Sequence, residues 1–199
     1  MERWDDRVQE DHRALGTQAG ALEAALTADV NPHDRRVVLS WIVRTLWSAL
    51  ELHLRKEKEA LFPAVQHVLG REAAALTILN RQHEEFRVAY RRLAELLQGY
   101  EDLNWEGIGI AIQNFIDRLE DHEKKTERLL LDVLEFNLKP KELLALSQTF
   151  EQVAQKAHEE EGWPTDWWVR RNTITQQGKP VSGGHLPVHK PRDKKLSHV

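Results

Sequence analysis

Four histidines, His12, His53, His83 and His122, carry the first chemical signal in the chain. Each falls on the apolar stripe of a different amphipathic segment, so all four are expected to point inward. A core of Leu, Ile and Phe gains nothing from imidazole, because each buried ring nitrogen must find a partner or cost about 1–3 kcal/mol. Neutral imidazole is also a common metal ligand. Glu57 stands four residues after His53 on the same helical face, so one turn offers a nitrogen and an oxygen ligand together. Glu127 follows His122 by five residues, one step past the stripe position held by Thr126, and reaches inward only from the flank of its helix. The chain has no cysteine, which excludes thiolate zinc sites, iron–sulfur clusters, disulfides and cysteine nucleophiles. Four imidazoles and two carboxylates suit iron or manganese. Carboxylates able to bridge imply two ions, with coordination positions left open for small ligands. Beside these residues only Thr126 and Tyr90 offer a hydroxyl for proton transfer.

The elements that must hold these residues are helices. Residues 2–28 place Trp4, Val8, His12, Leu15, Ala19, Leu22 and Leu26 at steps of three and four. Asn31-Pro32 starts a second helix, with the stripe Leu39, Val43, Leu46, Leu50, His53, Glu57 and Leu61; it is expected to end or kink near Pro63. Leu76, Leu79, His83, Phe86, Tyr90, Leu93 and Leu97 mark a third, closed by Gly99. The fourth runs from about Trp105 with Ile108, Ile112, Phe115, Leu119, His122, Thr126, Leu129, Val133 and Phe136, and Pro140 limits it. A shorter fifth helix over 141–160 carries Leu143, Leu144, Leu146, Phe150, Val153 and Ala157. No segment alternates as strands do, and short connections make neighbours antiparallel. The expected fold is all-α, an up-down four-helix bundle over residues 1–160 with an extra C-terminal helix, followed by an irregular tail over 161–199.

The tail is a chemically separate segment. From Gly162 to Val199 there are seven Lys and Arg against two Asp, a net +5, leaving 21 basic against 30 acidic residues, or −9, for the preceding part. An acidic bundle does not attract phosphates, so no nucleic acid is expected on it. Trp163, Trp167 and Trp168 ahead of Arg170-Arg171 either cover the bundle or anchor a protein partner. The first residues lack the apolar run of a signal peptide and no uninterrupted apolar stretch reaches about 18 residues, which sets a cytoplasmic expectation with no membrane contact.

His12, the run His53-Leu54-Arg55-Lys56-Glu57 followed by Leu61-Phe62-Pro63, His83 before Glu84, and His122 followed by Glu127 together resemble the hemerythrin-like family, the HHE cation-binding domain, over about residues 1–136. The resemblance implies a four-helix bundle holding a non-haem di-iron centre, with two iron ions bridged by carboxylates and an oxo or hydroxo group. It further implies that His12, His53, His83 and His122 are terminal ligands and that Glu57 and Glu127 bridge. The ligand would be dioxygen or a related small molecule such as peroxide or nitric oxide, bound, sensed or processed. Two departures stand out. Oxygen-carrying members place two histidines four residues apart on the third helix, where this chain has Leu79 and Arg87 around His83; many bacterial relatives have glutamate where this chain has Thr126.

Taken singly, a stripe histidine is more often a satisfied core residue than a ligand. One on each of four helices, with the His53–Glu57 pair, favours metal. The competing reading of the whole chain is a helical interaction module, its metal site vestigial or purely structural, acting through the tail. Truncation after Glu161 separates the two.

Overall fold

Asn31 caps the second helix: its side-chain oxygen accepts from the Asp34 amide at 2.9 Å, and Pro32 occupies the first turn, where no amide donor is needed. Asn104 caps the helix after it in the same way, through the Gly107 amide at 2.9 Å. A Cβ at Gly107 would meet the Asn104 side chain at 2.8 Å, so a larger residue there would push the capping amide aside. Gly70 ends a helix at a positive φ of +87°, a conformation that favours glycine.

The computed structural model describes residues 5–70, 73–98 and 103–161. Among them the elements are α1 (Asp6–Thr27), α2 (Pro32–Lys56), α3 (Phe62–Leu69), α4 (Ala74–Gln98), α5 (Trp105–Thr126), α6 (Asp132–Asn137) and α7 (Pro140–Glu161). Trp4, Gly99 and the tail tryptophans, arginines and histidines lie outside the described residues. Helices α1 and α2 pair, α4 and α5 pair, and contacts of α2 with α4 and of α1 with α5 close the ring of the bundle. The fold is the expected all-α one, a bundle with an additional C-terminal helix.

Two π-helical turns depart from the expected pattern. Glu57–Leu61 joins α2 to α3, and Glu127–Leu131 joins α5 to α6. In each, the backbone amide that closes the turn returns to the carbonyl five residues earlier, Phe62 to Glu57 and Asp132 to Glu127. Pro63 therefore does not end the second helix, because the widened turn precedes it and Phe62–Leu69 continue. The extra residue also advances the buried face of the fourth helix. Leu130, Leu131 and Leu134 are buried in place of the expected Leu129, Val133 and Phe136, and Phe136 is 90% exposed. Both π turns begin where the candidate ligands end.

Val8, Leu61, Leu79 and Leu130 meet in one apolar cluster to one side of the histidines, Val8 and Leu79 one turn from His12 and His83, Leu61 and Leu130 about two turns from His53 and His122. Leu15, Leu50, Phe86 and Leu119 are buried one turn to the other side. α7 joins the first cluster through Leu146 and Phe150 and packs on α2 and its π turn. Each such side chain contributes about 1.5–3 kcal/mol by burial. The Pro32–Leu69 rod is long and apolar enough to cross a membrane by length and composition. The same rod supplies Leu39, Val43, Leu46, Leu50, Leu61 and Val65 to the core.

Candidate metal centre

Helical steps of three and four turn the four stripe histidines to the inner face, and the packing of the helices brings them to one level of the bundle. His12 comes from α1, His53 from α2, His83 from α4 and His122 from α5, and all are buried. Glu57, the first residue of a π turn, is wholly buried among them. The His12 and His53 rings lie 4.8 Å apart edge to face, and those of His83 and His122 5.3 Å apart. Ligand atoms of His12, His53 and Glu57 all lie within 4.8 Å of one another, and so do those of Glu57, His83 and His122. Glu57 belongs to both groups.

The carboxylate divides its contacts accordingly. Oε2 accepts from His83 Nε2 at 2.9 Å and lies 3.2 Å from His122 Nε2; Oε1 accepts from Thr126 Oγ1 at 2.8 Å and lies 3.4 Å from His53 Nε2. Burial alone would raise the Glu57 pKa, but His122 and His53 hold it well below the usual carboxylate range. His53 is driven the other way. Burial disfavours its charged form, yet Glu57 and Asp11 lift its pKa to about 9. His12 falls to about 3, chiefly through burial and then through His53, and burial also lowers His83. Both nitrogens of His12, with Nε2 of His53 and of His122, are buried and find no hydrogen-bond partner. Buried polar atoms left in this way cost free energy unless something else binds them. Imidazole nitrogens around one carboxylate, with metal taking the place of the His53 proton, are the donor set that fits a divalent metal.

A second tier of side chains orients the first. His53 Nδ1 donates to Asp11 Oδ2 at 3.2 Å, and Lys56 Nζ contacts both Asp11 oxygens, at 2.9 and 2.7 Å. Lys56 Nζ lies 4.8 Å from the Phe150 ring centre of α7. Across the bundle, His122 Nδ1 donates to Gln82 Oε1 at 3.4 Å, and Gln82 Nε2 donates to Asp121 at 2.7 Å. Lys125 pairs with Asp121. A recess of about 280 Å³ between α4 and α5 is lined by Gln82, Glu85, Phe86, Asp117, Arg118 and Asp121, so its wall includes the partner of His122.

Two expected residues are not brought to the cluster. Glu127 is exposed, because one residue past Thr126 turns the chain about 100° away from the inner face and the buried place goes to Thr126. Tyr90, two turns beyond His83, stacks on Trp47 at 4.4 Å. Four residues that touch the histidines or their partners were not anticipated: Asp11, Lys56, Gln82 and Asp121. Their signal was positional, since Asp11 and Gln82 each directly precede a stripe histidine and Lys56 follows His53 by three. Glu123, half-buried beside His122, was also missed. Its Oε1 is buried without a partner, and burial, opposed by His53 and aided by Glu127 and Glu120, raises its pKa to about 7.

The family model of the hemerythrin HHE cation-binding domain matches residues 5–134. The chain belongs to this family. The match contains every residue of both groups around Glu57 and stops short of α7, so the helix carrying Phe150 is an addition to the hemerythrin domain in this chain. Comparison with curated proteins and with solved structures finds no match.

Proposed function

We propose that this hemerythrin-domain protein is a non-haem di-iron protein that binds or senses dioxygen, or processes peroxide or nitric oxide. The observation that carries the reading is the membership of Glu57 in two three-residue groups: a carboxylate with one oxygen towards His53 and the other towards His83 and His122 is disposed to bridge two ions. His12 and His53 would hold one iron and His83 and His122 the other. A bound iron pair supplies redox-active positions open to small ligands. The chain's own residues hold the imidazoles, present the bridge and keep the centre dry, with Phe62 stacked on His83 and Phe86 edge-on to His122. The recess beside Gln82 supports entry of a small ligand on the α4–α5 side. Thr126, which donates to Glu57, is the one hydroxyl at the centre among the described residues.

The test is to load the protein anaerobically with ferrous iron and then add dioxygen, peroxide or nitric oxide separately while following near-ultraviolet and visible absorption. New iron-dependent bands with at least one of the three, absent in His53→Ala, are expected. A loaded protein whose spectrum responds to none of them contradicts the reading.

A further inference from the structure

The α1–α2 half and the α4–α5 half repeat the same contacts with different residues. In the first, the residue before His12 is Asp11, and it accepts from the Nδ1 of the histidine on the next helix, His53. In the second, the residue before His83 is Gln82, and it accepts from the Nδ1 of His122. A lysine three residues after each of these accepting partners' histidines completes both sets: Lys56 grips Asp11 directly, and Lys125 reaches Gln82 only through Asp121. The first half thus sets a carboxylate against the imidazole, whereas the second inserts a neutral amide between imidazole and carboxylate.

We propose that the two metal positions are inequivalent and fill in order, the His12–His53–Glu57 position first, with Asp11 as the positioning residue that sets the order. This rests on the two-ion reading above. A histidine that donates Nδ1–H to a carboxylate keeps its Nε2 lone pair free for metal and becomes a stronger donor; loss of such a partner costs about 10–100-fold in metal affinity. The 3.2 Å bond to Asp11 fixes the Nδ1–H of His53, so that Nε2 is the nitrogen that exchanges its proton for metal. A neutral amide at 3.4 Å orients His122 without adding negative charge next to its ring. Asp11 is held still by contacts to both its oxygens, and Lys56 is itself packed against Phe150 of α7. The added helix therefore buttresses the Asp11–Lys56 side of the first metal position.

Two reciprocal substitutions test this in the full-length protein. Asp11→Asn makes the first half copy the second, and Gln82→Glu makes the second copy the first. Metal-free protein is titrated with cobalt(II), followed by visible absorption, and the steps are assigned with His12→Ala and His83→Ala. The expected wild-type result is a tight step lost in His12→Ala and a weaker step lost in His83→Ala. Asp11→Asn is expected to weaken the tight step by about 10–100-fold and leave the other in place. Gln82→Glu, which leaves Lys56 and Asp11 untouched and so stands if Asp11→Asn folds poorly, is expected to tighten the weaker step and bring the two together. If one ion alone binds, it must be the one lost in His12→Ala. The proposal is overturned if the tight step belongs to His83, if Asp11→Asn moves both steps equally or neither, or if Gln82→Glu leaves their spacing unchanged. Absence of any cobalt binding by the wild type would instead bring down the two-ion reading and this inference with it.

Discussion

The α1–α2 half and the α4–α5 half of the bundle hold their histidines alike and differ in charge and cover. Where the first has Asp11 and Glu57, the second has Gln82 and Thr126. The first is covered by α7 through Phe150 and Lys56, and the second borders a recess lined by Gln82 and Phe86. The comparison teaches that a repeated framework of inward histidines fixes where metal can sit, while neighbours one residue or one turn away set how strongly each position holds it. The carboxylates are concentrated on one side, so Glu57 must serve both.

The largest effect is expected from removing what the halves share. Glu57→Gln preserves side-chain volume but leaves neither half an anionic ligand, and metal-induced stabilisation, read as the rise in melting temperature on adding metal, should disappear for both positions. Persistence of the full rise would break the account of a shared bridge. Next comes Phe150→Ala, which opens a cavity beneath α7 and should lower stability by about 3–5 kcal/mol in denaturant titration. Its effect on metal should fall on the first position, so a loss confined to the second would reverse the comparison. Thr126→Val removes the hydroxyl that donates to Glu57 and leaves a buried carboxylate oxygen short of a donor, lowering metal-free stability by roughly 1–3 kcal/mol. If the melting temperature of the metal-free variant is unchanged, that bond contributes nothing. The smallest effect is expected for Glu127→Ala, within about 0.5 kcal/mol and without change in metal stoichiometry, since the side chain is exposed. Loss of an ion there would restore Glu127 to the ligand set.

Periodicity made much of this legible in the sequence. A stripe of period 3.6 needs no tertiary information, so α1, α2, α4, α5 and α7 and the inward face of four histidines and Glu57 follow from spacing, while their union in one site is what the family resemblance implies. The π turns did not. Each inserts one residue into the helical count, and nothing in Glu57–Leu61 or Glu127–Leu131 announces it, so an uninterrupted period runs one residue out of register beyond Thr126 and puts Phe136 inside. Glu127 failed for a related reason: an acidic residue near the expected spacing looks like a ligand until the face it occupies is known. Asp11, Lys56, Gln82 and Asp121 read as ordinary helix-surface residues, because their partners lie on other helices and only folding brings them together.

The central claim is that Glu57 joins two ions. Its most direct test is elemental analysis of the wild type and of Glu57→Gln after identical anaerobic loading with ferrous iron and removal of loosely held metal. The account predicts about two irons per chain in the wild type and nearly none in the variant. A variant that keeps two irons, or a wild type that holds none, would contradict it.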